Sequence, residues 1–220
     1  MDMKKRFILA LFVCVLLCGC TPVQEMSIQE VIDNGTSRTV SVYNKYRKGY
    51  KYNLPKGLDV VHYIDYNETV ESKDYTYYLY VDCVSYFNKV IEKYEVSEKA
   101  YVSMPISYED KYGYLEINKL NNGKYFIELM YNYAKIEVIV NKNDINVTLA
   151  NGMSILTSVD FDDNVLSTIL DEEVSRFGES DFNIFETTST SNSQYMEAID
   201  ADVYNNDNDD DNIHDSDLIN

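Results

Sequence analysis

Cys20 is the residue of this chain with the clearest chemistry. It follows the small residue Gly19 at the end of an apolar run from Phe7 to Leu17, and Lys4-Lys5-Arg6 precede that run. A basic head, an apolar middle and a small-residue processing site, in that order, make a secretory leader. The run is shorter than the about 20 apolar residues that a membrane-spanning helix needs. Other chemistry finds less material. There are two histidines, His62 within Val60-Val61-His62-Tyr63 and His214 near the end. A serine or cysteine nucleophile needs its base within hydrogen-bond reach, and no local motif supplies one, so His62 is expected as a satisfied structural residue. No glycine-rich phosphate loop and no paired-histidine metal motif is present. Asp59, Asp65 and Glu68 are candidates for the acid and base of a glycosidase-like cleft, in a chain with 37 acidic residues. Asp207, Asp209 and Asp211 have the 1-3-5 spacing of a calcium loop. Asn212 stands at its turn position instead of Gly and Leu218 at its twelfth instead of Glu, so no EF-hand is expected. No catalytic residue, cofactor or metal site is therefore expected.

Leu17-Cys18-Gly19-Cys20 resembles the lipobox of bacterial lipoproteins, with Cys18 where that family more often has Ala, Ser or Thr. The resemblance covers residues 1 to 22. It implies a signal peptide over 1–19, removed by signal peptidase II ahead of Cys20, whose thiol already carries diacylglycerol as a thioether. Each buried methylene of a fatty chain such as palmitate contributes about 0.8 kcal/mol, so one chain binds reversibly and two bind stably. The place implied is the outer face of the cell membrane, with the membrane itself as the lipid-anchored partner.

Composition narrows the rest. The formal charge is −18, and losing the leader with its Lys4, Lys5, Arg6 and Asp2 makes it more negative. Nucleic acid is excluded as a partner, because its recognition leans on Lys and Arg at phosphate. Anionic headgroups also repel such a chain. Cys14 and Cys18 leave with the leader and Cys20 takes lipid, so Cys83 is left without a disulfide partner. Cys83 lies in the apolar run Leu79 to Val84 and is expected as a buried, inert thiol. There are 21 tyrosines and no tryptophan. Clusters at Tyr43, Tyr46, Tyr50 and Tyr52, and at Tyr75, Tyr77, Tyr78 and Tyr80, are candidates for rings on both faces of a sheet, where a solvent-facing row would be a docking platform.

These residues need a scaffold, and the patterning describes one. Residues 20–26 read as a tether. Ser27-Ile28-Gln29-Glu30 reads as a capping box opening a short helix that ends at Asn34-Gly35. Strands are expected around Val40 and Val42, at Tyr50 to Leu54, at Leu58 to Ile64 and at Tyr75 to Val81, with Asn67 to Asp74 as a polar divider. Ser85 to Val96 fits either period. Tyr112 to Leu120 and Lys124 to Tyr133 flank Asn121-Asn122-Gly123, a hairpin signal. Tyr125 to Tyr131 reads as a central strand, and Ile136, Val138 and Val140 mark the next. Ile145, Leu149, Met153 and Leu156 recur at helical spacing, and Val165, Leu166, Ile169 and Leu170 do so again after Asp162-Asp163-Asn164. Residues 187–220, which lack Lys and Arg, read as a disordered acidic tail. The domain is therefore expected over 27–186.

Strands first and helices afterwards argue for an α+β fold, an antiparallel sheet with flanking helices. Tyr50-Lys51-Tyr52-Asn53-Leu54-Pro55-Lys56-Gly57-Leu58, followed by a hairpin and a helix ending Ile155-Leu156-Thr157-Ser158, resembles the PsbP-type α/β/α sandwich. Tyr77 to Asp82 is similar to a strand of uncharacterised lipoproteins from low-GC Gram-positive bacteria. PsbP-type domains are mostly non-enzymatic, so the resemblance implies a binding or accessory protein of the cell envelope. The alternative class is a cell-wall-directed hydrolase using carboxylates.

Overall fold

The computed structural model describes residues 22–40, 42–91 and 93–177, the last seven by backbone alone. Cys20, His214, the calcium-like aspartates and the acidic tail lie outside these residues. The fold is α+β with antiparallel sheets. Helix α1 (Ile28–Thr36) opens with the expected capping box: the Ser27 hydroxyl accepts from Glu30 N, and the Glu30 carboxylate accepts from Ser27 N at 2.7 Å. A small sheet follows, β1 (Lys45–Arg47) and β2 (Tyr50–Tyr52), completed later by β10 (Asp160–Phe161) in the order β1-β2-β10. The large sheet holds seven strands: β3 (Asp59–Ile64), β4 (Asn67–Glu71), β5 (Thr76–Val81), β6 (Val102–Tyr108), β7 (Lys111–Lys119), β8 (Tyr125–Tyr131) and β9 (Ala134–Val140). Their order is β3-β4-β5-β9-β8-β7-β6. Helix α2 (Cys83–Asn88) follows β5, α3 (Ile145–Leu156) follows β9, and α4 (Asp163–Phe177) follows β10.

One face of the large sheet is the core. Tyr77, Leu79 and Val81 stand opposite Val138, Ile136 and Ala134, which stand opposite Ile127, Leu129 and Tyr131. Helix α3 covers this face with Ile145, Leu149, Met153 and Leu156, all buried. Its bounds match the helical spacing of those residues. Gly152 is what lets it sit so low: a Cβ there would lie 2.9 Å from Leu129 Cδ2. Gly35 plays the same part between α1 and α3, against Met153. Fully burying each Leu or Ile is worth about 1.5–3 kcal/mol, so this face dominates stability.

Several elements depart from the sequence reading. The polar divider contains strand β4, whose inward positions are Glu68 and Val70, both buried. A carboxylate at a core position broke the apolar alternation on which strand reading depends. Residues 39, 40 and 42 form no strand, and β6 lay in a stretch with no expected element. The ambiguous segment is helical only to Asn88, where Lys89 ends it in the left-handed region (φ 56°). In the Asn121-Asn122-Gly123 turn, Gly123 alone has positive φ, and its N–H donates to Leu120 O at 3.0 Å. A two-residue turn with both φ positive occurs instead at Asn132-Tyr133. Tertiary contacts hold it there: Asn132 Nδ2 donates to Val159 O, and Asp82 N to Tyr133 O. The segment ahead of α1 is also packed. Val23 and Met26 lie against the core, and Asn146 Nδ2 donates to Met26 O at 2.6 Å.

Candidate functional site

Two groups of buried polar side chains and one recess are built into this frame. The first centres on Glu68, 2 % exposed. Arg47 from β1 grips it with two bonds, Nε to Oε1 at 3.0 Å and Nη2 to Oε2 at 2.6 Å. The hydroxyls of Tyr50 and Tyr52, from β2, donate to the same two oxygens at 3.0 and 2.7 Å. Burial, reinforced by the Glu68 charge, lifts both phenols well above the ordinary tyrosine range. Every strong acceptor direction of the carboxylate meets a donor, and the group ties the small sheet to the large one. This is a closed strut.

The second lies on the opposite face. Glu116, Glu128 and Glu137 stand directly across from one another on β7, β8 and β9 and are 4 %, 1 % and 5 % exposed. Like charges in such register repel, and donors offset this. Tyr94 donates to Glu116 at 2.6 Å and Asn118 at 2.9 Å, Tyr114 donates to Glu128, and Lys135 pairs with Glu137 at 2.8 Å. The Tyr94 and Tyr114 rings stack with centroids 4.3 Å apart.

The third is open. A recess of about 280 Å³ lies between the end of α1, the β6–β7 turn and the end of α3, and Tyr131 lines it. Tyr131 is the last residue of β8, 1 % exposed, with its ring among the core side chains. Its hydroxyl is the only buried side-chain polar atom among the described residues without a hydrogen-bond partner. Burial, with Glu109 and Asp110 nearby, pushes that hydroxyl up to about 12. An unpaired buried hydroxyl costs about 1–3 kcal/mol, so Tyr131 is the exception that calls for a reason. Arg38 and Lys111 also line the recess. Neither cationic group bonds to a described residue, whereas Asp160 on the same wall pairs with Lys51 at 3.1 Å. Glu109 holds the turn with φ 54°, a left-handed conformation that is uncommon outside glycine.

The residues singled out in the sequence fall elsewhere. Asp59 and Asp65 are exposed at opposite ends of β3, while Glu68 points inward from β4, so no three-carboxylate cleft forms. His62 is not a satisfied core residue: it is exposed on the edge strand β3, beside exposed Val61 and Tyr63. Cys83 is buried as expected, and burial pushes its thiol up to about 12. Of the tyrosine clusters, Tyr50, Tyr52 and Tyr77 are core residues, while Tyr46 is exposed. Tyr78 and Tyr80 alternate with Tyr77 and occupy the other face, half-buried. The open group, Tyr131 with Arg38 and Lys111, was not visible in the sequence. Tyr131 read only as the end of an apolar strand, and no spacing links it to residues 38 and 111.

No family model, curated protein or solved structure matches this chain. Among the described residues no helix is long and apolar enough to cross a membrane.

Proposed function

We propose that the protein is a lipid-anchored extracytoplasmic binding or accessory protein of the cell envelope, held at the outer face of the membrane through Cys20. One observation carries the binding half of this reading: an open recess with uncommitted polar groups, whose lining among the described residues holds no histidine or cysteine. A catalytic site needs a base beside a nucleophile or a poised acid–base pair, and the recess is better suited to holding than to turning over. The lipobox-like Leu17 to Cys20 supports the anchoring half. Because Val23 and Met26 pack on the domain, only a few residues separate Cys20 from the folded body. An extended residue spans at most about 3.6 Å, so the domain is held close to the bilayer despite its negative charge. The PsbP-type likeness of Tyr50 to Leu58 and Ile155 to Ser158 supports the accessory reading, because that family is mostly non-enzymatic.

Asp59, Asp65 and Glu68 form no common cleft for a carboxylate hydrolase, and a second group of carboxylates is Glu116, Glu128 and Glu137. Those three are buried and already hydrogen-bonded, which closes them to a wall polymer. Two experiments test the reading. Cys20→Ser is expected to move the protein from the membrane fraction to the soluble one, and continued retention would contradict lipidation. Incubation with peptidoglycan is expected to give no turnover. Release of soluble fragments, abolished by substitution of an acidic residue, would put the hydrolase in its place.

A further inference from the structure

We propose that the groove between α1 and α3 holds part of an acyl chain of the protein's own Cys20 lipid. The proposal rests on the anchoring reading and places one chain of that anchor on the domain.

The groove encloses about 340 Å³, at the lower end of the about 300–1,000 Å³ of small-ligand sites. Val23, Met26, Val31 and Ala150 line it, and the small residues Gly35 and Ser154 leave it unfilled. Val23, Met26 and Ala150 are only half-buried, so apolar side chains face water there. Among the described residues the one buried side-chain polar atom without a partner is on Tyr131, which does not line the groove. What the groove lacks is therefore an apolar cover rather than a hydrogen bond.

The chain that leads back to Cys20 builds one end of it. Asn146 Nδ2, at the start of α3, donates to Met26 O at 2.6 Å and to Val23 O at 3.3 Å, which fixes the residues ahead of α1 beside that helix end. Gly35, near the end of α1, packs on Met153, near the end of α3. The two helices therefore run side by side in the same direction, and the groove between them extends from Val23 to Arg38. Cys20 stands three residues from Val23, at most about 11 Å. An acyl chain on its thiol starts within that reach whichever way the link runs. A ligand joined by so short a link has an effective concentration on the order of mM. A free fatty acid, with its carboxylate at exposed Arg38, lacks that advantage and is the competing occupant.

The test uses the full protein as a lipoprotein-processing bacterium makes it when fed a fatty acid with a diazirine near its methyl end. The purified protein is placed in unlabelled phosphatidylcholine vesicles and irradiated. Trypsin leaves Cys20 to Arg38 on one peptide, since no Lys or Arg lies between them, and Ala150 to Ser154 on another. Mass spectrometry is expected to find these two peptides joined through the acyl chain. Unlabelled protein in vesicles of diazirine-bearing phosphatidylcholine should carry at least about tenfold less label on Ala150 to Ser154. Ser154→Trp fills the groove and should cut the joined yield by a similar factor, with an unchanged thermal midpoint because Ser154 is half-exposed. The two wild-type measurements decide the matter alone if that variant does not fold. Vesicle lipid that labels the groove as strongly overturns the proposal, and so does labelled fatty acid on the α3 peptide without the Cys20 peptide. Joining elsewhere, no joining, or a yield indifferent to a folded Ser154→Trp also overturns it. Where Cys20 carries its lipid by mass and the peptides stay separate, the groove loses its occupant and the anchor stands. An unmodified Cys20 removes both.

Discussion

Glu68 and Tyr131 face the same side of the large sheet, three strands apart, about 14 Å by strand spacing. Both are almost fully buried polar residues, yet they are treated in opposite ways. Glu68 is gripped by Arg47 and capped by Tyr50 and Tyr52, so nothing remains for an outside molecule to do. Tyr131 carries a polar atom of similar burial with no partner and a cavity beside it. Burial alone does not separate a structural polar group from a binding one. Saturation does, because a satisfied group gains nothing from a ligand and an unsatisfied one does.

The contrast can be broken from its closed end first. Arg47→Ala leaves the Glu68 carboxylate buried with two neutral donors, and loss of one partner from a buried pair costs about 3–5 kcal/mol. Urea unfolding should show a loss of that size, and a loss under about 1 kcal/mol would mean that water already reaches Glu68. Tyr52→Phe removes one donor to a charged acceptor and should cost about 1.5–3 kcal/mol by the same measurement. The pH dependence has a definite sign. Tyr50 and Tyr52 are raised above the unfolded value near 10, so the folded state keeps protons that the unfolded chain releases. Their contribution is whole below about pH 10 and falls above it by about 1.4 kcal/mol per pH unit for each phenol. Urea midpoints taken from pH 9 to 11 should show the decline, and Tyr50→Phe with Tyr52→Phe should make it shallower, the other raised phenols keeping the remainder. The smallest effect belongs to the open end, where removing the Tyr131 hydroxyl should change stability by no more than about 1 kcal/mol, upward if at all.

The same contrast explains what was legible in the sequence. Helix α3 could be read to its ends because Ile145, Leu149, Met153 and Leu156 are apolar and face one way, and the capping box at Ser27 is a local pattern with a local cause. The β7–β8 hairpin was marked by its turn residues, although Gly123 alone takes the left-handed conformation. Strand β4 was missed because its core position is Glu68, and that position makes sense only once Arg47, Tyr50 and Tyr52 arrive from 16 to 21 residues away. The Asn132-Tyr133 turn escaped notice for a similar reason, since a tyrosine at positive φ is held by Asp82 and Val159 rather than by its own preference. The recess was hidden most completely. Tyr131 has the sequence context of a core strand residue, and only the fold brings Arg38, from the end of α1, and Lys111, from the β6–β7 turn, to the same wall.

Paired urea titrations of Tyr52→Phe and Tyr131→Phe, without added ligand, test the distinction most directly. The expected result is a clear loss of stability for the first and none, or a small gain, for the second. A Tyr131→Phe variant that loses as much as Tyr52→Phe would show that the Tyr131 hydroxyl is already satisfied in the free protein, and the case for an open site would fall with it.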